Sequence, residues 1–592
     1  MVVDYNENSF RGIVKVVKWD YRLDPESEKY KEEIVRNIAL RIKNYIYNKE
    51  FPKDSELDNP INYLFVRLKS ESITSIKTSI FPEVFQCPDC KRLLQLKNGK
   101  KKEIPKCPGK SCNSKLSQID IVTYHHCGEL KSLNIPNECR VCKKKSSFKF
   151  VKFGSSSPYM WELQCLNCSN KMKLSRNQVC YYCKNKECNV CDNYQMKIAP
   201  FRKREIFNPL RINLPATKLV KNDQGMDGSR ELLKKYLFQG IEIKLSEDDS
   251  KEIEKLRIKI EDLEPEEIEA VIKKRKEKLL KKKYEQYLPE KIISDLLKQD
   301  ITILALNQLN HIFNVLTRSN ISLPEKAKKQ YHKIGIDLSN SFFTENFKLL
   351  MTTYGYIRDG YEDPLQRCFL KKFPPFSEER DKIPILLNSI ETEAIVLKFE
   401  EENIVNFLQT NGFISKDRCS NKVDERLLLL EEGLKSDVLF YAPIASQNTI
   451  QKIIYTILHT ISHSLIKSAS QFSGFDIQGL SEIILPEISM VIIYHNQSSN
   501  FNLGGLLSLF SDRYKQWIDN ATETLDTCKY DPLCKSFDSG DEELGKAACH
   551  GCIHIPETSC NHLNYDLDRN IMIRSKHYTQ SFLQGIDDEI NS

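Results

Sequence analysis

The stretch CPDCKRLLQLKNGKKKEIPKCPGKSC, residues 87–112, places two cysteine pairs in one short segment. Cys87 and Cys90 form the first pair, and Cys107 and Cys112 follow behind a basic loop. Two such turns can bring four thiolates to about 2.3 Å from one tetrahedral zinc ion. Because long apolar runs are scarce from here to Cys191, we expect metal to supply part of the core of this region.

The same spacing recurs further along the chain. Of 20 cysteines, thirteen lie between Cys87 and Cys191, and the chain has six Cys-x-x-Cys pairs, whereas random placement would give about 0.7. A reducing cytosol disfavours disulfides, so the pairs indicate metal binding. The predicted ligands of two further sites are Cys139, Cys142, Cys165, Cys168, Cys180, Cys183, Cys188 and Cys191. Spacing leaves their pairing open, and Cys127 is left over unless it or the neighbouring His125 or His126 replaces one ligand.

A second group of cysteines follows at residues 528–560. Its members are Cys528, Cys534, Cys549, Cys552 and Cys560. Four of these five predict one structural zinc site, in which Cys549, Cys552 and Cys560 are preferred and Cys534 is favoured over Cys528 as the fourth ligand. We therefore expect about three N-terminal zinc sites and one C-terminal site.

His459 and His463 lie four residues apart, so on a helix they share one face, as the metal-binding histidines of zinc hydrolases do. Thr460 stands where that chemistry places a glutamate, so no general base is built in. The favoured interpretation is a pair of core histidines, and the alternative is a metal-dependent nuclease or hydrolase. Candidate neighbours for that alternative are Asp476, Glu482 and His495. No P-loop string or other recognised catalytic motif occurs, so we expect a protein without enzymatic activity.

The cysteine-rich region is strongly basic. Residues 87–204 hold 25 Lys and Arg against 8 Asp and Glu, whereas the whole chain has a formal charge of +7. The predicted nucleic-acid-binding residues are Lys100, Lys101, Lys102, Lys143, Lys144, Lys145, Arg202, Lys203 and Arg204. They are interleaved with the aromatic residues Phe148, Phe150, Tyr159, Trp161, Tyr181 and Tyr182. This composition suits phosphate contact with base stacking; the alternative is a solubilising surface whose aromatic rings fill gaps between zinc ribbons.

We expect an α+β multidomain fold with an N-terminal zinc-ribbon-rich lobe, a central helical region and a C-terminal mixed α/β zinc-binding domain. Strand-like runs occupy residues 12–19, 63–68, 393–399 and 490–494, and helical periodicity occupies 25–49 and the Glu- and Lys-rich stretch 245–300. The predicted division is a small α/β domain at 1–80, the zinc-ribbon lobe at 81–205, a connector and charged helical hairpin at 206–300, a mixed α/β region at 301–445 and the zinc-binding domain at 446–592.

The sequence offers no signal for export or for a membrane. Residues 1–10 are acidic and polar, and no run of about 18 apolar residues occurs. We therefore expect a cytoplasmic protein with no membrane partner.

Residues 449–569 carry HTISHSLIKSAS, GLSEIILPE, CKYDPLC and ACHGCIHIPETSC in this order. This segment resembles the zinc-binding domain at the C-terminus of MrfA-type helicases. Here it follows a cysteine-rich region, entered through FPEVFQCPDC at residues 81–90, in place of a motor. In this arrangement the chain is similar to the DrmB family of DISARM anti-phage defence proteins.

The resemblance implies a partner helicase similar to DrmA, joint binding of DNA and a role in restricting phage genomes alongside a methyltransferase. Together with the basic zinc lobe, it predicts a non-catalytic DNA-binding subunit that supports a helicase. A third interpretation is a pure assembly scaffold without DNA affinity.

Overall fold

A computed structural model describes residues 2–23, 31–42, 53–68, 76–96, 106–144, 148–185, 194–215, 233–238, 247–260, 265–287, 323–358, 369–373, 381–434, 449–496, 504–535 and 547–591, apart from single residues and short breaks within these ranges. The chain forms two compact units. The N-terminal unit is built from Met1–Ile212 and Met351–Asn388, and the C-terminal unit from Asn213–Leu350, Ser389–Ala442 and Ser446–Ser592.

The N-terminal unit consists mainly of short strands. They are β1 (Val2–Glu7), β2 (Phe10–Trp19), β3 (Tyr21–Leu23), β4 (Tyr63–Leu68), β5 (Ile76–Ile80), β6 (Val84–Gln86), β7 (Leu93–Gln95), β8 (Ser117–Gln118), β9 (Ile121–Tyr124), β10 (Leu130–Ser132), β11 (Phe148–Val151), β12 (Glu162–Cys165), β13 (Lys171–Lys173), β14 (Lys197–Pro200) and the start of β15 (Asn208–Pro215). A single helical turn, α1, spans Tyr181–Lys184.

Twelve of these strands form four antiparallel three-stranded sheets, in the orders β1-β2-β5, β7-β6-β8, β10-β9-β14 and β11-β12-β13. Most strands around the cysteines are only two to four residues long, and sheets this small are marginal on their own. An apolar cluster that includes Val84, Ile121, Phe148 and Leu163 packs three of the sheets together. Because this cluster is small, we expect bound metal to add to the stability of the sheets.

The C-terminal unit combines long strands with helices. Two strands, β16 (Ile336–Ile357) and β17 (Ile383–Phe399), have residues in both units, and β18 (Leu480–Leu485) and β19 (Met490–His495) follow. The helices are α2 (Glu247–Lys259), α3 (Pro265–Tyr287), α4 (Glu325–His332), α5 (Glu401–Thr410), α6 (Lys422–Leu434), α7 (Thr449–Phe472), α8 (Gly505–Ser511), α9 (Tyr514–Asp526), α10 (Arg569–Met572) and α11 (Phe582–Asn591).

Helix α7 lies at the centre of the largest apolar core. Ile453, Ile457, Ile461 and Leu465 recur every four residues and are all fully buried, which is the pattern of a helix face packed inside a protein. Trp517 of α9 is also fully buried and donates its indole N–H to the carbonyl of Leu465 at 2.8 Å. This helix carries the two histidines singled out in the sequence.

Strands β18 and β19 form an antiparallel hairpin whose register pairs Leu480 with His495 and Leu485 with Met490. Strand β19 also pairs antiparallel with β17, with Ala394 opposite Tyr494. All residues of the hairpin strands are buried, as expected for strands covered on both faces. The hairpin therefore brings polar side chains of β18 into the core beside α7.

Several predicted elements are confirmed. Strand β4 has the predicted bounds, and the runs at 12–19, 393–399 and 490–494 lie inside β2, β17 and β19. The charged stretch forms α2 and α3, which meet through Ile253, Ile272 and Leu279. The finer division into five domains stays a prediction.

Within the residues that the structure describes, no helix is long and apolar enough to cross a membrane.

Candidate metal centres and the basic surface

Three Cys-x-x-Cys turns in the N-terminal unit share one backbone geometry. The N–H four residues after the first cysteine donates back to that cysteine's carbonyl: Lys91 to Cys87 at 3.1 Å, Lys143 to Cys139 at 2.9 Å and Ser169 to Cys165 at 3.0 Å. Each donor residue also has a positive φ, between 53° and 60°. The hydrogen bond joins residues four apart, so the turn is a local structure, although the equally spaced Cys180 and Cys183 lie at the N-cap of α1 and within it, and Lys184 has no positive φ.

The first cluster is the one predicted from residues 87–112. Its thiols belong to Cys87, Cys90, Cys107 and Cys112. The Sγ atoms of Cys87 and Cys112 lie 3.5 Å apart, as do those of Cys90 and Cys107. The backbone N–H and the hydroxyl of Ser114 lower the pKa of Cys112 to about 6. A thiolate at this position is the form that binds a metal.

The second cluster joins two of the predicted pairs. It comprises Cys139, Cys142, Cys165 and Cys168. The Sγ atoms of Cys139 and Cys168 are 3.5 Å apart, and those of Cys142 and Cys165 are 4.0 Å apart. The backbone N–H of Asn167 donates to Cys165 Sγ at 3.4 Å. Such N–H···S bonds stabilise the charge of metal-bound thiolates.

A third cluster contains the cysteine that the spacing left over. It comprises His125, Cys127, Cys180 and Cys183, all of them buried. His125 Nδ1 lies 3.1 Å from Cys127 Sγ and 3.5 Å from Cys183 Sγ. A hydrogen bond from the Cys127 thiol lowers the pKa of Cys180 to about 3. Cys188 and Cys191, predicted as ligands, lie outside the described residues.

A fourth cluster lies in the C-terminal unit and corrects the predicted grouping there. It comprises Cys528, Cys534, Cys549 and Cys552. Cys528 Sγ lies 3.5 Å from Cys549 Sγ, and Cys534 Sγ lies 3.8 Å from Cys552 Sγ. Three of the four predicted ligands, Cys534, Cys549 and Cys552, lie in this cluster. Cys528, which follows α9, takes the place of the predicted Cys560, which lies in another cluster.

Arg569 packs behind the fourth cluster and is fully buried. Its guanidinium donates to the carbonyl oxygens of Ala547 and Leu525, each at 3.1 Å, and to Asp531 Oδ1 at 2.8 Å. Burial acts to lower the pKa of Arg569, but Asp531 and the nearby thiols of Cys552 and Cys534 raise it. A fixed positive charge here offsets part of the negative charge of four thiolates.

The fifth cluster unites the two histidines of α7 with residues distant in sequence. It comprises His459, His463, Glu482 and Cys560. Glu482 Oε1 lies 3.2 Å from His459 Nε2 and 3.0 Å from His463 Nε2, and His459 Nε2 lies 3.3 Å from Cys560 Sγ. Burial lowers the pKa of His459, and the neighbouring His463 lowers it further. All four side chains are buried.

The sequence held a partial signal for this fifth cluster. The four-residue spacing of the histidines was visible, as was the presence of five cysteines for a site of four ligands, but neither specified a common site, and Cys560 was assigned to the other cluster. Glu482 was named only as a neighbour, because its approach depends on the β18–β19 hairpin packing against α7. Asp476 caps the turn at Ile477–Gly479, where its side chain accepts from the N–H of Gln478. The ring of His495 stacks on that of Phe475, with 4.4 Å between the ring centres.

Of the predicted nucleic-acid-binding residues, the structure describes Lys143, Lys144, Arg202 and Lys203, and all four are exposed. Lys143 and Lys144 follow the turn of the second cluster, and Arg202 and Lys203 follow β14. The others, Lys100, Lys101, Lys102, Lys145 and Arg204, lie outside the described residues.

The interleaved aromatic residues divide into two groups. Phe148 and Trp161 are buried, at 1% and 7% exposure, and pack within the apolar cluster between the sheets. They therefore fill the gaps between ribbons, as the alternative interpretation expected. Tyr181 is different, since 54% of it is exposed and the Nζ atoms of Lys131 and Lys184 lie 5.5 Å and 5.9 Å from its ring centre.

Parts of this chain are similar to known proteins. A family model described as a domain of unknown function (DUF8724) matches residues 1–207. The DISARM protein DrmB of Bacillus paralicheniformis is 35% identical over 128 residues, which are 21% of this chain and 23% of that protein. The chain thus matches less than a quarter of the relative's length. The similarity supports a DrmB-like relationship, and the resemblance of residues 449–569 to MrfA-type helicases stays a prediction.

Proposed function

We propose that this protein is a zinc-stabilised, non-catalytic subunit of a bacterial anti-phage defence complex of the DISARM type, which binds DNA and supports a partner helicase similar to DrmA. The observation that carries the proposal is the 35% identity with a DISARM DrmB protein. The metal clusters and the basic residues beside them supply the physical basis for DNA binding.

The metal centres support a structural role. Four of the five clusters are rich in thiols, and each cluster offers four ligand atoms that lie within 4.8 Å of one another. Four protein ligands complete a tetrahedral zinc site and leave no position for a reactive water. This arrangement favours a scaffold over a hydrolase, and burial of His459 and His463 in the core weighs in the same direction.

The surface chemistry supports contact with nucleic acid. Lys143 and Lys144 lie at the Cys139–Cys142 turn, where the N–H of Lys143 donates to the carbonyl of Cys139 at 2.9 Å and fixes the backbone. Exposed lysines and arginines supply sequence-independent affinity for phosphates. Tyr181, half exposed and flanked by Lys131 and Lys184, offers a ring on which an unpaired base could stack.

Titration of DNA with the full-length protein at increasing salt tests this proposal. We expect charge reversal of Lys143, Lys144, Arg202 and Lys203 to glutamate to weaken binding by one to two orders of magnitude and to reduce the salt slope by about one for each phosphate that the variant no longer neutralises. Tyr181→Ala should selectively weaken binding to single strands by about tenfold.

A matched control reverses four exposed lysines of the helical hairpin, Lys255, Lys259, Lys273 and Lys274. The change in net charge is the same, so unchanged binding of the control would assign the effect to the cysteine-rich region. Absence of binding at low salt, with the partner helicase present as well as absent, would overturn the DNA-binding role. If the helicase still bound under those conditions, the protein would act as an assembly scaffold.

A further inference from the structure

The hydrogen bonds around the fifth cluster orient both of its imidazoles. His459 Nδ1 lies 3.3 Å from the carbonyl oxygen of Asp566, and His463 Nδ1 lies 2.9 Å from that of Ile553. A carbonyl oxygen can only accept a hydrogen bond, so each Nδ1 carries the proton. In a neutral imidazole the Nε2 atom then presents a lone pair. Histidine ligands of metals are held in the same way.

Both Nε2 atoms point at other acceptors. Each lies within 3.2 Å of Glu482 Oε1, and that of His459 also faces Cys560 Sγ. The second oxygen of Glu482 accepts a hydrogen bond from the hydroxyl of Ser462. Two lone pairs, a carboxylate and a sulfur thus converge in the buried core, where acceptors that face one another repel. A cation at their centre would satisfy all of them.

Cys560 is presented in the same way as cysteines of the thiol-rich clusters. The backbone N–H two residues further along, that of His562, donates to Cys560 Sγ at 3.3 Å. The same bond reaches Cys528 from Tyr530 at 3.4 Å and Cys549 from Gly551 at 3.3 Å. Asn564 adds a second N–H to Cys560 at 3.3 Å. Two N–H donors on one sulfur suit a thiolate, because a neutral thiol is a weak acceptor.

We propose that His459, His463, Glu482 and Cys560 bind a zinc ion through Nε2, Nε2, Oε1 and Sγ, forming a closed structural site that joins α7 to strand β18 and to the segment after the fourth cluster. Two neutral imidazoles, one carboxylate and one thiolate balance the two charges of zinc, so the completed site is electrically neutral. Neutrality matters because these side chains are 0–2% exposed, and a net charge at that depth would be costly.

A network of protons is the competing arrangement. There the Cys560 thiol would donate to His459, and a charged His463 would donate to Glu482, without any metal. The two arrangements differ in the zinc content of the protein and in the cadmium NMR resonance that the site would give after metal exchange. The zinc site is independent of the proposed role in defence and DNA binding, so neither test decides the other.

Elemental analysis of the full-length protein provides the first test. We expect Cys560→Ser to lose about one zinc ion per chain, whereas Cys419→Ser, which changes a cysteine outside the five clusters, should lose none. Equal zinc content in the wild-type protein and a folded Cys560→Ser variant would overturn the proposal. Circular dichroism and thermal unfolding of both variants, compared with the wild-type protein, report whether each variant has folded.

Cadmium NMR of the unaltered sequence provides a second test that needs no variant. Nitrogen and oxygen ligands shield cadmium more than thiolates do, so the fifth site should give a resonance upfield of those from the four thiol-rich sites. Its appearance in fully exchanged protein supports the site even if Cys560→Ser does not fold. A spectrum with thiolate-rich resonances alone would refute it.

Discussion

The metal clusters of the two units differ in their surroundings. In the N-terminal unit each cluster lies among the turns of one small sheet whose strands are mostly two to four residues long, and Cys90 and Cys168 are exposed. In the C-terminal unit the two clusters lie against the core around α7, a helix of 24 residues. From this contrast we expect that bound metal would supplement a small apolar core in the first unit and reinforce a large one in the second.

The largest expected difference between the two units is their loss of amide protection when metal is removed. A strong chelator at neutral pH should abolish amide protection in β6–β7 and β11–β13, because sheets this short cannot persist without their metal. Helix α7 should keep much of its protection, since its packing is apolar. Hydrogen exchange followed by mass spectrometry measures both regions in one sample. Equal loss of protection in the two units would contradict the comparison.

The second prediction concerns the buried cation behind the fourth cluster. Arg569→Leu should lower the free energy of unfolding of the C-terminal unit by about 3–5 kcal/mol, because it removes the buried guanidinium and the hydrogen bonds that it donates to Asp531 and to two carbonyl oxygens. Chemical denaturation measures this change. The control is Arg275→Leu, which removes an exposed ion pair with Glu252 and should cost about 0–1 kcal/mol. Similar losses of unfolding free energy in the two variants would show that burial of the ion pair does not determine the loss.

The smallest expected effect is a change in how the free energy of unfolding of the C-terminal unit depends on pH. Burial raises the pKa of Glu487 from 4.5 to about 7. Between these values the folded protein holds a proton that the unfolded chain has released, so the free energy of unfolding should fall as the pH rises through this window. Glu487→Gln should remove on the order of 1–3 kcal/mol of that dependence.

Denaturation at a series of pH values measures this slope. Glu254→Gln is the matched control, since Glu254 is exposed on α2, and it should leave the slope unchanged. An unaltered slope in Glu487→Gln would assign the pH dependence to other groups.

The sequence indicated only the short-range parts of the candidate metal centres. The Cys87–Cys90, Cys139–Cys142 and Cys165–Cys168 turns could be found because a thiol pair three residues apart is positioned by its own backbone. The choice between Cys528 and Cys560 could not be found in this way. Their burial and their partners depend on how the chain after α9 folds back onto α7, which no local pattern encodes.

The basic region shows the same division. Composition alone indicated that residues 87–204 are rich in positive charge, but burial of Phe148 and Trp161 and exposure of Tyr181 emerged only from packing of the sheets. An aromatic ring near lysines has the same sequence signature whether it faces solvent or the core.

The sequence by itself determined that this protein is built around thiol pairs, because the knuckle turn needs only neighbouring residues. Beyond the first cluster, the tertiary structure alone decided which cysteines share a site, and it brought Glu482 and Cys560 to the histidines of α7. Cys560 lies 101 residues from His459. Contacts over such separations form only when helices and strands pack, and the apolar surface they bury determines where each polar side chain comes to lie.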